Sequence, residues 1–249
     1  MTRARFYAAE LDPERGVVVL PPDEAHHLTR VMRLGPGDEV NVFDGRGREC
    51  RARIERVQKN AVTLTILETL PPIREPGVAT VLAQAMLKGD KMDAVIRDAT
   101  MAGVSRITPL VTERTLVSPA AISRGRAVDR WQRVAIASAK QCRRARLPRI
   151  DPPVALAEWL NAPLDVLRLL FVEPAPDGRD LRSLRVALSG AKPAAVACIV
   201  GPEGGWTAAE RESAVAVGCV PVTLGPMTLR ADAVGLLAVS LVSFAVGDD

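Results

Sequence analysis

Ile199-Val200-Gly201-Pro202-Glu203-Gly204-Gly205-Trp206-Thr207, followed downstream by Leu224-Gly225-Pro226-Met227-Thr228-Leu229-Arg230, is the pair of segments that decides the fold of this chain. Each follows a short apolar run that predicts a buried strand, 194–200 before the first and 219–224 before the second. Glycine-rich loops leaving neighbouring strand ends let backbone N–H and C=O groups approach a ligand closely. Between them, Thr207-Ala208-Ala209-Glu210 has the capping-box pattern, so a helix is expected from Ala208 to near Gly218. The first loop is neither G-x-G-x-x-G nor a phosphate loop, because no Lys-Ser/Thr follows. By shape alone it is also compatible with a ligand-free tight turn. The second glycine loop tips the balance toward a small-molecule pocket at the strands' C-terminal ends.

Working outward, residues 78–249 alternate strands with helices. Strands are expected at 78–84, 106–111 and 166–172, and helices at 91–102 behind Asp90 and at 123–145 behind Ser123. In the second helix Val128, Trp131, Val134, Ala135, Ser138 and Cys142 recur at three-to-four spacing and mark an inward stripe. A last helix over 233–244 is apolar on nearly every side, which suggests a subunit interface. This alternation predicts an α/β domain with a mostly parallel sheet covered on both faces. Residues 1–70 read differently, as a small β domain of short, partly alternating strands. One helix interrupts it over 23–34, and Asp44-Gly45-Arg46-Gly47 forms a turn. The stiff, proline-rich segment 71–77 is the expected linker.

At 48% hydrophobic residues the 249-residue chain can bury a sizeable core. No signal peptide is expected, because Met1–Phe6 opens no apolar stretch, and the longest apolar run, 233–246, is too short to span a bilayer. Cys50, Cys142, Cys198 and Cys219 show no paired spacing, and His26 and His27 are adjacent. A reduced, cytoplasmic protein with no metal site and no membrane contact is therefore expected. The net charge of +4 is unevenly spread: residues 114–149 hold ten Lys/Arg and only one acid, Asp129. Such a stripe is either the footprint of a phosphate-rich partner or a solvated face.

The string 199–210, with Val222-Thr223-Leu224-Gly225-Pro226 and Leu229-Arg230, closely resembles the SPOUT superfamily of S-adenosylmethionine-dependent RNA methyltransferases. Within it the match is to the ribosomal RNA small subunit methyltransferase E family, which makes N3-methyluridine in 16S rRNA. The likeness runs through nearly the whole chain in order. His27-Leu28-Thr29-Arg30-Val31-Met32-Arg33-Leu34, Gly37-Asp38 and Asp44-Gly45 resemble that family's N-terminal PUA-like barrel. Lys88-Gly89-Asp90-Lys91-Met92-Asp93, Thr112-Glu113-Arg114-Thr115 and Lys140-Gln141-Cys142-Arg143-Arg144 resemble its middle motifs.

The resemblance implies a trefoil-knotted C-terminal domain, a homodimer, and S-adenosyl-L-methionine bound in the knot loops. One wall of that pocket would be Ile199, Val200, Gly201, Glu203 and Gly204, the other Leu224, Gly225, Thr228 and Leu229, with Phe171 and Glu173 closing the floor. A side chain on Gly204 would block it. Arg230 would stabilise charge on the uracil. Glu203 would either take a proton or tie the loop to backbone N–H groups. Arg5, His27, Arg30, Arg33, Arg114, Arg143 and Arg144 would hold 16S rRNA of the small ribosomal subunit, with His27, Arg30 and Arg33 on one helix face. The chain departs from the family at Met227 and Thr228, where Arg and an aliphatic residue are usual. It also departs at Asp232, which stands for a glutamate, and at Lys140, where a glutamate is common. A SPOUT enzyme acting on a ribose 2′-oxygen or another base, and a noncatalytic RNA-binding assembly protein, remain open.

Overall fold

The computed structural model describes residues 3–58, 61–71, 73–116, 126–174, 182–190 and 193–246. The chain divides into two compact units, Met1–Arg74 with Ile136–Leu147, and Glu75–Ala135 with Pro148–Asp249. The chain thus changes unit inside the expected linker, and again within and just after the long helix.

The first unit is a five-stranded sheet of β1 (Arg5–Tyr7), β2 (Val17–Leu20), β3 (Glu39–Phe43), β4 (Glu49–Val57) and β5 (Val62–Leu70), in the order β1-β3-β4-β5-β2. β1 lies parallel to β3, and every other pair is antiparallel. Inward positions such as Val42, Cys50, Ile54 and Leu64 are fully buried, while Arg53, Glu55, Thr63 and Thr65 beside them lie on the more open face. Register shifts at Arg51/Ala52 and Ile54/Arg56 are bulges that bend β4 and curl the sheet.

The helix expected over 23–34 is shorter and changes pitch. It runs as α1 (Pro22–His26) and continues as a π-turn over His27–Val31, closed by the Met32 N–H donating to the His27 carbonyl at 3.0 Å. Arg33 follows in the left-handed region at φ 55°. The wider turn shifts the angular spacing and Arg33 lies past the helix end, so His27, Arg30 and Arg33 do not share one helix face. Arg30 and Arg33 are exposed, while half-buried His27 meets Phe6 edge-on at 6.0 Å.

Arg5, expected at the RNA surface, does not reach it. It is buried, and all five of its N–H groups are used inside the unit. Nε and Nη2 grip Glu49 at 3.0 and 2.7 Å, and the remaining donors reach the carbonyls of Ala139, Lys140 and Arg144. The guanidinium also stacks 4.6 Å from the Phe43 ring centre. Arg144 is buried too. Arg5 ties Glu49 to the end of α3 and to Arg144 just after it, and neither arginine presents accessible charge to RNA. Arg5→Ala strands the buried Glu49 carboxylate and should cost about 3–5 kcal/mol, read as a lower midpoint in urea unfolding.

The second unit holds the parallel sheet. Its elements are β6 (Ala79–Ala85), α2 (Lys91–Met101), β7 (Arg106–Val111), α3 (Arg126–Cys142, of which 126–135 belong here), β8 (Arg149–Ile150), β9 (Val154–Ala155) and α4 (Leu156–Asn161). They continue with β10 (Leu167–Phe171), β11 (Arg182–Ser183), α5 (Leu184–Leu188), β12 (Ala195–Val200), α6 (Ala208–Ala216), β13 (Val220–Thr223) and α7 (Ala231–Val246). The order is β11-β13-β10-β12-β6-β7-β8, with β9 also on β7, and all pairs are parallel. The proposed cap of the long helix, Ser123, lies outside the described residues. Asp90 begins α2 without a side-chain capping bond.

Both faces of β12 are buried, which is why the sequence reads as one unbroken apolar run. Val196, Cys198 and Val200 face a core shared with α2 and α7, while Ala197 and Ile199 face Trp159, Leu160 and Ala214. Cys198 is wholly buried, which pushes its thiol up to about 12 and leaves it unreactive. At Gly235, α7 approaches so closely that a Cβ would come within 3.1 Å of Gln84 Oε1 and 3.3 Å of Leu82. The opposite side of α7 leaves Leu237, Leu241 and Phe244 exposed, Phe244 at 87%.

Candidate active site

Because β12 sits between β6 and β10, and β13 on the far side of β10, the loops that leave β10, β12 and β13 converge at one end of the sheet. They enclose a cavity of about 180 Å³. Its apolar wall is Phe171, Val200, Leu224, Leu229 and Val234; its charged lining groups are Arg114, Glu173 and Arg211. Gly201, Gly204 and Gly205 form the backbone wall.

The glycine loop is held from several sides. A Cβ on Gly201 would lie 3.0 Å from the Trp206 ring, whose Nε1–H donates to the Phe171 carbonyl at 2.9 Å. Buried Gln84 donates from below to the Gly201 carbonyl at 3.4 Å. Gly205 takes φ 67°, which favours glycine. The loop ends in the expected capping box: the Thr207 N–H donates to Glu210 at 2.9 Å, and the Glu210 N–H donates to Thr207 Oγ1 at 3.2 Å. The other oxygen of Glu210 accepts from the Glu113 N–H at 2.9 Å, so the start of α6 also anchors the loop carrying Arg114.

Of the residues assigned to the cofactor, Phe171, Glu173, Val200, Gly201, Gly204, Leu224 and Leu229 line the cavity. Ile199 does not: strand alternation sends its side chain to the other face of the sheet. Glu203, Gly225 and Thr228 lie in the same loops but outside the lining. Gly225, at φ 145°, shapes its loop together with Thr223, whose hydroxyl donates to the Gly225 carbonyl at 3.0 Å. Arg114, assigned to RNA, is instead part of the cavity wall and donates to the Gly204 carbonyl at 2.7 Å. Trp206, Arg211, Val234 and Gln84 were not singled out in the sequence. The capping box marked the helix beside Arg211, but nothing local marks Gln84 as lying under the loop.

Charged groups gather beside the cavity. Arg230 is exposed and makes a two-pronged pair with Asp232, at 3.0 and 2.9 Å. Those hydrogen bonds hold Asp232 below the usual carboxylate range despite partial desolvation. Glu203 accepts from Lys91 Nζ at 2.7 Å and from the Lys88 N–H at 3.3 Å. Partial burial pushes its carboxyl up, but the bonds from Lys91, its own N–H and Lys88 outweigh this and bring it below its ordinary 4.5. A carboxylate so well satisfied is a poor proton acceptor and a good loop tie. This contribution to stability is complete above pH 4.5 and fades as pH falls through the lowered value. Glu203→Gln should therefore flatten the acid limb of the unfolding-midpoint profile below that pH and leave the neutral region nearly parallel.

A parallel α/β sheet with a glycine-walled cavity at its carboxyl end defines a small-molecule-binding enzyme domain, and comparison with known proteins gives its class. Residues 74–243 match the RNA methyltransferase domain model, and residues 20–67 match the RNA methyltransferase PUA domain model. The Ribosomal RNA small subunit methyltransferase E of Synechocystis is 34% identical over 90% of this chain and 73% of its own length. A Legionella pneumophila structure solved with the cofactor SAM bound superposes with a TM-score of 0.90 at 31% identity, covering 100% of both chains. The Ribosomal RNA small subunit methyltransferase E of Neisseria gonorrhoeae, bound to S-adenosyl methionine, gives 0.86 at 29% identity over 99% of each. This chain belongs to the ribosomal RNA small subunit methyltransferase E family.

Proposed function

We propose that the chain transfers the methyl group of S-adenosyl-L-methionine to N3 of a uridine in 16S rRNA of the small ribosomal subunit, in the cytoplasm. The observation that carries this reading is the cavity walled by Gly201, Gly204 and Gly205, where any larger residue would fill space or meet Trp206 or Arg114. The residues fit the cofactor. Val200, Leu224, Leu229 and Phe171 offer apolar contact to an adenosyl group, Glu173 offers opposite charge to a cationic centre, and Arg114 and Arg211 suit a carboxylate. When bound, the sulfonium supplies an activated methyl, so no covalent nucleophile is needed on the protein.

The chain's own task is alignment and charge stabilisation. Arg230, beside the lining residues Leu229 and Ala231, is proposed to face the uracil carbonyls as the N3 proton passes to water and negative charge spreads over the ring. Asp232 fixes the guanidinium plane and acts as a positioning residue. Glu203, already ionised and bound to Lys91, is assigned to holding the loop.

The trefoil knot and the homodimer are part of the proposal. The insertion of β12 between β6 and β10 supports the first, and exposed Leu237, Leu241 and Phe244 on α7 support the second. The test is to incubate the protein and labelled cofactor with small subunits from a strain lacking this modification, then analyse nucleosides by mass spectrometry. N3-methyluridine is expected. A 2′-O-methylated nucleoside, or no transfer, would contradict the reading.

A further inference from the structure

With Arg5 and Arg144 buried, Arg30, Arg33 and Arg143 are the exposed arginines of the first unit among those expected at RNA, and a further group lies on the turn after β3. The turn after β3 is rigid. The carboxylate of buried Asp44 accepts the N–H groups of Arg46 at 2.7 Å and Arg48 at 3.0 Å, while the Arg48 carbonyl accepts the Asp44 N–H at 3.1 Å. Gly45 and Gly47 take left-handed backbone, at φ 75° and 114°, so the chain folds back without a side chain at either bend. The segment after α3 zips onto this turn: the Gly47 N–H donates to the Ala145 carbonyl at 3.1 Å, and the Leu147 N–H donates to the Gly45 carbonyl at 2.8 Å. Tyr7 and Leu147 pack beneath Gly45, and the Arg146 guanidinium lies across Gly47.

The result is a platform from which Arg46, Arg48 and Arg146 project, all exposed. Arg46 touches the Ala9 carbonyl and stands 3.9 Å from Asp44. Among the described residues no carboxylate pairs with Arg48 or Arg146. Elsewhere in the unit Arg15 is balanced by Asp12, and Arg3 and Arg53 by Glu39; Arg30, Arg33 and Arg56 are also exposed but lie outside this locked turn. Unpaired guanidinium groups on a backbone-locked support suit phosphate, which they can bind in two-pronged fashion at little ordering cost. No aromatic ring on the platform is free for base stacking, because Tyr7 is packed against Phe43, with ring centres 5.6 Å apart, and under Gly45.

We infer that the platform formed by Asp44–Arg48 and Arg146 is the RNA-backbone contact of the first unit, with Arg48 and Arg146 its principal phosphate ligands. This rests on the proposal that the substrate is RNA and names the surface that grips it. The experiment is equilibrium binding of a small-subunit rRNA transcript across a salt series. The double variant Arg48→Glu/Arg146→Glu is compared with Arg15→Glu/Arg56→Glu, which makes the same change in net charge away from the platform.

Loss of two phosphate contacts should reduce the slope of log K against log salt by roughly 1.4–1.8 and weaken binding at least tenfold, with the control pair close to the parent. Equal losses in both pairs, or an unchanged slope in the platform pair, would overturn the assignment. Titration with S-adenosylmethionine and thermal unfolding should match the parent in both variants, which separates a lost contact from a lost fold. Failure of methyl transfer by the parent with the salt result intact would refute the catalytic reading alone.

Discussion

Gly201→Val should reduce S-adenosylmethionine affinity by roughly 100-fold, about 2.7 kcal/mol, when measured by calorimetry. The effect is steric. A Cβ at this position meets the Trp206 ring at 3.0 Å, and that ring cannot simply swing away because its N–H is fixed to the Phe171 carbonyl. Either Trp206 is driven out, removing part of the lining, or the loop shifts and loses the Gln84 contact to the Gly201 carbonyl. Overpacking of this kind also costs about 1–3 kcal/mol of stability, so the far-ultraviolet spectrum must be checked at the assay temperature. Gly204, the position the sequence singles out for blocking, is the milder site: a Cβ there meets the Arg114 Cβ at 3.3 Å and its Cδ at 3.4 Å, contacts that a shift of a few tenths of an ångström relieves. An unchanged affinity in the folded Gly201→Val protein would remove the cavity from the account.

Arg230→Ala should leave cofactor affinity within about twofold and lower kcat by roughly 10²–10³-fold, the usual cost of deleting a donor that stabilises developing charge. The separation follows from position. Leu229 and Ala231 line the cavity, whereas the exposed Arg230 guanidinium is outside it and engaged with Asp232. Asp232→Ala should produce a smaller loss of kcat with Arg230 still present, because it removes orientation but keeps the charge. Arg230→Lys should recover little, since an ammonium cannot reproduce the planar two-pronged geometry. A raised cofactor Kd with unchanged kcat in Arg230→Ala would reassign the residue to binding.

The features legible in the sequence are those whose cause is local. The capping box at Thr207 and Glu210, the glycine loops and the double-faced apolar strands each follow from a few consecutive residues, and each was found where expected. Arg5 was misread because its partners lie 44 to 139 positions away; nothing near it says that Glu49 and three carbonyls enclose it. The π-turn at His27–Val31 defeated the helix-face argument, because one extra residue per turn is invisible to a 3.6-residue template. β8, β9 and β11, each two residues long, and the short α4 and α5 carry no usable periodicity. Arg114 lies in the basic stretch that drew attention, yet the fold spends it on the cavity wall.

The most direct test of the central claim is a crystal structure of the chain grown with S-adenosylmethionine. The ligand is expected to sit among Val200, Gly201, Gly204, Leu224 and Leu229, with its methyl on the side facing Arg230. Ligand bound anywhere else, or the glycine loop closed on its own side chains with saturating cofactor present, would contradict it.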